Sequence, residues 1–272
     1  MKVKRVAVIG CGSIGSEVVR AIEEGYVKAE LVALYDIIKD KCVELTKQLR
    51  SQEPRVVSDL RELMTEKPEI VVEAASQDAV REYGEEVLRG GASLVVLSVG
   101  ALMDPNTLNK LLKAAEEGNT YIYVPTGAIA ALDAVRALRR VGFEKVTLRT
   151  RKPPTSLKLV GEPTKDLSKV REPTAVFRGK ASEAVKKLPF NINVSAALSL
   201  ASGTDAEVEV IADPNVRRNV HEIEVISKAS RITVRVENVP SPRNPRTSYL
   251  ATLSAIELLR KLTSPDRLIV GT

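Results

Sequence analysis

Six residues, Gly10-Cys11-Gly12-Ser13-Ile14-Gly15, directly follow an apolar run, Arg5–Ile9, and open a segment with helical spacing. Three separate physical tasks call for the three glycines. Gly10 permits a tight turn, Gly12 lets the backbone approach a pyrophosphate, and Gly15 allows a helix to pack closely on the strand. Ser13 and Ile14 start that helix, whose free N–H groups and positive dipole end suit phosphates. Asp36 stands 21 positions after Gly15, at the end of the next apolar run. A carboxylate there accepts hydrogen bonds from ribose hydroxyls and repels a 2′-phosphate. The pattern is that of a dinucleotide site with NAD favoured, while Lys39 and Lys41 nearby leave NADP use open. Cys11 has no partner close to it in sequence and reads as a small side chain under the cofactor, not as a redox centre.

A second chemistry centres on His221, the sole histidine of 272 residues. Imidazole titrates near neutrality and suits proton transfer; taken alone the residue reads better as a surface or packing histidine, and the dinucleotide pattern brings the catalytic reading level with that one. One histidine and two cysteines, with no HExxH pattern, point to no metal site. Asn219 precedes His221 by two residues, so an extended chain would turn both to one side. Carboxylate ligands would be held by Arg151, Lys152, Arg217, Arg218 or Arg246, among which spacing does not choose.

The elements that must position these groups divide the chain. Apolar runs Arg5–Ile9, Leu31–Tyr35, Ile70–Ala74, Leu94–Val99 and Thr120–Val124 lack strict alternation, as parallel strands buried on both faces do. Amphipathic stretches separate them, including Ile14–Glu23, Lys39–Gln48, Gln77–Leu88 and Pro105–Glu116, which gives repeated βαβ units. The expected class is α/β: an N-terminal Rossmann-type doubly wound parallel sheet over residues 1–125, then a second α+β domain with a mixed or antiparallel sheet over 126–246. Strands of the second domain are expected at Lys145–Thr150, Glu207–Ala212, Ile223–Ile226 and Ile232–Glu237, with a helix at Ile192–Ala201. A loop with three prolines spans Glu237–Arg246, and a closing helix in 247–263 is expected to pack back on the first domain. Further cofactor contacts belong at the carboxyl ends of later strands, at Ala75 and Ser76, at Ser98–Gly100, and along Pro125–Ala130.

Composition narrows the function classes. At 44% apolar and 28% charged residues the chain is an ordinary globular one. Two cysteines are too few for a disulfide framework, no run approaches a membrane span, and no leader pattern is visible, so a cytoplasmic setting is the expectation. The net charge is +6, and residues 139–187 alone hold 14 basic and 5 acidic side chains. Such a field attracts anions or is simply a solvated surface. With 3% aromatic residues and no Trp, a base-stacking platform is disfavoured, so no nucleic-acid partner is expected.

Beyond the glycine fingerprint, four further segments carry a resemblance: Pro125-Thr126-Gly127-Ala128-Ile129-Ala130-Ala131-Leu132-Asp133, Arg151-Lys152-Pro153-Pro154, Asn191-Ile192-Asn193-Val194, and Asp213-Pro214 through Asn219-Val220-His221-Glu222-Ile223. With them the sequence resembles the L-aspartate dehydrogenase family over nearly its whole length. Thr126 stands where the family usually has serine, and Phe190 where it often has lysine. The resemblance implies NAD(P)-dependent oxidative deamination of L-aspartate to iminoaspartate, which gives oxaloacetate and ammonia or feeds pyridine nucleotide biosynthesis. It also implies a catalytic role for His221, cofactor contacts at Ala128 and Asn191, and a homodimer built partly on the second domain's sheet. Substrate contacts are expected from Asn219, Thr126 and Arg151. Competing readings are a homoserine dehydrogenase-like or dihydrodipicolinate reductase-like enzyme, or a non-catalytic NAD-binding regulator.

Overall fold

Valine, isoleucine and leucine cluster in short runs between glycine-rich and polar turns, and in the computed structural model these runs become the strands of two sheets. The structure describes residues 3–157, 167, 170–188, 192–242, 244–264, 267, 268 and 270. Contacts divide the chain into two units, 1–125 with 252–270, and 126–251 with 271–272.

The first unit runs β1 (Lys4–Ile9), α1 (Ser13–Glu23), β2 (Ala29–Tyr35), α2 (Lys39–Thr46), β3 (Arg55–Val56), α3 (Leu60–Thr65), β4 (Ile70–Glu73), α4 (Gln77–Arg89), β5 (Ser93–Val96), α5 (Pro105–Glu117) and β6 (Ile122–Tyr123). A 3-10 turn at Val99–Met103 separates β5 from α5. The six strands form one sheet in the order β3-β2-β1-β4-β5-β6. Every neighbouring pair in it is parallel. Chain order reverses between β1 and β4, and the crevice outside their carboxyl ends is where open α/β sheets bind ligands. Val6, Val8, Val72 and Val95 are buried against α1 residues Val18, Val19 and Ile22. Helix starts follow the local chemistry. Asp59, Ser76 and Asp104 each accept a hydrogen bond from a backbone N–H three residues on, and Pro105 occupies the first turn of α5.

The second unit contains α6 (Leu132–Leu138), β7 (Lys145–Lys152), β8 (Thr174–Lys180), α7 (Ala181–Lys187), α8 (Asn193–Ser202), β9 (Glu207–Ala212), β10 (Asn219–Ile226), β11 (Arg231–Asn238), β12 (Pro240–Ser241) and β13 (Asn244–Ser248). Five of its strands make a mixed sheet, β11-β10-β7-β9-β8, in which only β7 and β9 run parallel. The proline-rich segment is not simply a loop, because β12 and β13 pair antiparallel within it. Proline there is tolerated on a two-stranded ribbon because each strand keeps an edge that needs no N–H. The final helix, α9 (Tyr249–Thr263), places Ile256 and Leu259 in the first unit's core.

Alternation gives the mixed sheet two unlike faces. Val146, Leu148, Thr150 and Lys152 are buried, whereas Lys145, Thr147, Arg149 and Arg151 point the other way. On that second face Arg149 and Arg178 both bind Glu209, Lys145 and Arg231 bind Glu224, and Arg235 binds Glu222. Three of the basic residues in 139–187, Lys145, Arg149 and Arg178, are therefore answered by glutamates of β9 and β10, in a cross-strand ion-pair lattice that Arg231 and Arg235 of β11 extend.

Candidate active site

The glycine-rich turn joins β1 to α1, and its geometry explains each glycine. Gly10 has φ +99°, and a Cβ there would lie 2.6 Å from the Ala74 carbonyl oxygen. A Cβ on Gly15 would stand 1.8 Å from the Gly10 carbonyl oxygen, so helix and turn approach too closely for any side chain. At Gly12 the space is open, with nothing within 4 Å. Gly12 caps α1 without a side-chain hydrogen bond, and the buried Ser13 Oγ has no partner. An open cradle, uncapped N–H groups and an orphaned hydroxyl fit the pyrophosphate of a dinucleotide. Ile14 packs its side chain against the core behind the turn.

Asp36, at the end of β2, is built into this turn. Its Oδ2 accepts from the Cys11 N–H at 2.8 Å, its Oδ1 accepts from the Ile38 N–H at 2.9 Å, and Lys41 Nζ lies 3.7 Å away. Carboxylate oxygens have lone pairs to spare, so the same group can hold the turn and accept from a ribose. Lys39 is turned to the Ser58 hydroxyl. Ile37 and Ile38 follow at 84% and 51% exposure, an apolar surface beside Asp36. Nothing in the sequence pattern singled them out.

Cys11 corrects the sequence reading. It forms a disulfide with Cys42 of α2, 31 residues away in sequence, with Cα atoms 5.4 Å apart. The βαβ crossover returns α2 to the carboxyl end of β1, so separation along the chain is a poor guide to separation in space. Cys11 is thus a half-cystine clamping the turn, and the pair forms one cross-link where none was expected.

Sequence reasoning also missed Glu73. It ends β4 at 1% exposure and accepts from Ala75 N–H (2.8 Å), Leu97 N–H (3.2 Å), Ser98 N–H (3.0 Å) and Ser98 Oγ–H (2.8 Å). Burial nevertheless pushes its carboxyl above the usual range. One side chain therefore ties the loops after β4 and β5. A lone acid closing an apolar strand was the available signal. Ala75 and Ser76 are exposed on the first of those loops, where Ser76 also caps α4.

In the second unit His221 does not lie between strands. It lies within β10, which begins at Asn219, and is 2% exposed. It faces Thr150 across the β7–β10 pair, and Thr150 Oγ1 lies 3.0 Å from His221 Nδ1. Burial, with the nearby Lys152 ammonium, pushes the imidazole down to about 3. Lys152 lies two residues beyond Thr150 on the same face, 6% exposed, and burial lowers it to about 8. Asn219 shares the His221 face and donates from Nδ2 to Ser248 Oγ at 3.3 Å. Asn238, opposite Asn219 on β11, donates to the Ala128 carbonyl at 3.0 Å, while its buried Oδ1 has no partner. Imidazole, hydroxyl, ammonium and two carboxamides thus meet at one end of an otherwise apolar face.

The other expected substrate residues are placed differently. Arg151 points to the opposite face and pairs with Asp213 Oδ2 at 3.2 Å and Glu222 Oε2 at 3.7 Å. Thr126 is exposed, as are Arg217 and Arg218. Asn191, Phe190 and the Arg246 side chain lie outside the described residues. Among those described, no group of three or more His, Cys, Asp or Glu could hold a metal ion.

Comparison with known proteins separates the two units. Residues 10–125 match the family model for the homoserine dehydrogenase NAD binding domain, and residues 133–262 match that for the aspartate dehydrogenase C-terminal domain. The chain is 44% identical to L-aspartate dehydrogenase of Methanosarcina barkeri, over 98% of this chain and 99% of that one. The chain belongs to the L-aspartate dehydrogenase family. It is also 40% identical to L-aspartate dehydrogenase of Nitrosopumilus maritimus, over 99% of this chain and all of that one. The crystal structure of aspartate dehydrogenase from Thermotoga maritima superposes with a TM-score of 0.76 at 25% identity, covering 98% and 99% of the two chains. A dihydrodipicolinate reductase from Paenisporosarcina, 15% identical with a TM-score of 0.55 over 99% of this chain and 98% of that one, shares the fold alone. The first unit is an NAD-binding domain of an oxidoreductase, matched by a model named for homoserine dehydrogenase. The second unit carries the distinction.

Proposed function

We propose that the chain oxidises L-aspartate to iminoaspartate with NAD, and that His221 is the acid–base group. The observation that carries this reading is the sole histidine, neutral by burial and held by Thr150 among polar groups, in the unit that matches aspartate dehydrogenases. Gly10, Gly12, Ser13, Ile14 and Gly15 would cradle the pyrophosphate, Asp36 the ribose, and Ala75, Ser76, Ala128 and Asn191 the remainder of the dinucleotide. When bound, NAD supplies the hydride acceptor for the substrate's α-carbon.

Hydride can leave only once the α-ammonium has lost a proton. The tautomer in which Nδ1–H donates to Thr150 Oγ1 is the one that leaves Nε2 of the neutral imidazole as the accepting atom. Bringing two carboxylates near His221 favours its charged form, raising the low value towards working pH as the proton is needed. The imine carbon then takes a water oxygen, the imidazole relaying its proton, and ammonia leaves to give oxaloacetate. Released unhydrolysed, the imine is a precursor for pyridine nucleotide biosynthesis. Asn219 is proposed to contact the substrate, as are Thr126 and Arg151 by their positions in the sequence motifs. A cytoplasmic homodimer using the second unit's sheet completes the reading.

The test is NADH formation with L-aspartate beside D-aspartate, L-glutamate and L-homoserine, with NAD and NADP, for wild type and His221→Ala. Turnover confined to L-aspartate and reduced 10²–10⁴-fold in the variant is expected. Wild-type turnover in the variant removes His221 from the mechanism, and absence of any turnover removes the substrate.

A further inference from the structure

Glu73 has none of the roles assigned above, yet it is buried at the carboxyl edge of the parallel sheet, where desolvating a carboxylate is expensive. β1 has two neighbours, and each carries an acid at its end. Ile9 stands level with Tyr35 of β2 and with Glu73 of β4, so Asp36 and Glu73 flank the glycine turn from opposite sides. Asp36 holds the turn through the Cys11 N–H, and the Tyr35 carbonyl takes the Gly10 N–H at 2.7 Å. The hydrogen bonds of Glu73 fall outside the turn. Ala74 is fixed to β1 without it, donating to the Ile9 carbonyl at 2.8 Å. The Glu73 oxygens take the next N–H, that of Ala75, and after β5 the Leu97 N–H, the Ser98 N–H and the Ser98 hydroxyl.

Three N–H groups and one hydroxyl directed at one side chain call for a group that only accepts. A carboxylate has about four lone-pair sites and no hydrogen, whereas a glutamine would turn hydrogens towards the same donors. Burial raises the Glu73 carboxyl, and the four donors work against that rise. Ser98 opens the 3-10 turn Val99–Met103, but its hydroxyl is spent on Glu73 and not on capping that turn. The backbone so held, Ala75 and Leu97–Ser98, lies on the far side of β1 from Asp36. A dinucleotide that crosses the glycine turn with its adenosine ribose at Asp36 carries its second nucleoside towards those two loops. We infer that Glu73 is a positioning residue: by fixing the loops after β4 and β5 it sets the affinity for the nicotinamide half of NAD, acting through backbone. This rests on the adenosine ribose lying at Asp36, as proposed above.

ADP, which keeps the adenosine ribose and the pyrophosphate but has no second nucleoside, separates positioning from a general loosening of the unit. Kd values for NAD and ADP are measured by calorimetry on the full chain, for wild type, Glu73→Gln, Ser98→Ala and Asp36→Ala. Glu73→Gln is expected to weaken NAD about tenfold and to leave ADP within about twofold of wild type. Ser98→Ala, which removes one donor to Glu73, is expected to weaken NAD about threefold, again without ADP. In the double variant the two losses should not add, because both break the same link. A structural role alone lowers the thermal midpoint and shifts both ligands together. Unchanged NAD affinity in Glu73→Gln overturns the assignment, as does an equal loss for NAD and ADP. If Glu73→Gln fails to fold, Ser98→Ala decides by the same comparison. Asp36→Ala should weaken both ligands. Normal ADP binding there removes the ribose placement, while the contrast between NAD and ADP in the Glu73 and Ser98 variants still decides the positioning role.

Discussion

The cofactor unit works with backbone and the near-absence of side chains, while the second unit works with side chains that water would normally claim. Around Gly10–Gly15 the important atoms are N–H groups, a carbonyl 1.8 Å from where a Cβ would be, and open space at Gly12. Around His221 they are an imidazole, an ammonium, a hydroxyl and two carboxamides, three of these groups below 4% exposure. A phosphate site can be preformed cheaply because helix N-termini have unspent donors in any case. Proton transfer needs groups whose basicity is set by surroundings, and burial is the strongest way to set it.

That contrast can be broken most sharply at His221. Its replacement by alanine should cost 10²–10⁴-fold in turnover while NAD titration by fluorescence stays unchanged. Equal losses in both would mean that the units do not divide the work. Gly15→Ala should do the reverse. Its Cβ meets backbone that cannot give way, so NAD binding should fail and thermal unfolding of the first unit should come earlier, by an overpacking cost of about 1–3 kcal/mol or more.

Reduction of the Cys11–Cys42 disulfide tests the clamp. A loop of 31 residues is closed by it, and the chain-entropy argument puts the stabilisation at about 3–4 kcal/mol. Denaturant unfolding with and without dithiol should differ on that scale, and Cys42→Ser should match the reduced protein. Asp36→Ala should have a smaller effect, weakening NAD and raising relative NADP affinity, with some loss of order in the turn because the Cys11 N–H loses its acceptor. Unaltered relative affinities would show that the carboxylate serves the turn alone.

Stability against pH gives a further test. His221 titrates near 3 when folded and near 6.5 when unfolded. The unfolded chain therefore binds the extra proton between these values, and stability present above about 6.5 is lost as pH falls towards 3. Denaturant midpoints across that window should slope less steeply in His221→Gln than in wild type.

Periodicity and punctuation made the first unit readable. Buried parallel strands must be continuously apolar, the turn needs glycine where a Cβ has no room, and an acid ends the second strand where the turn's N–H needs an acceptor. Those are local requirements, and local requirements leave marks in sequence. The second unit left fewer. His221 stood out only as the sole histidine, and β10 began four residues earlier than its apolar run suggested, because a strand can carry Asn219 and His221 when its neighbours satisfy them. The β12–β13 ribbon was hidden by its prolines, and β8 by its lysine, arginine and glycine.

What the chain by itself determined was therefore the class of fold, the dinucleotide turn and the kind of chemistry, since each depends on residue type at short spacing. Only tertiary structure decided that Cys11 meets Cys42, that Glu73 gathers two loops, and that Lys152 and Arg151, adjacent in sequence, face opposite sides of one sheet. Pairing across strands and crossover connections set those neighbours. Burial then set their chemistry, giving the lysine and the histidine a basicity that neither has in water.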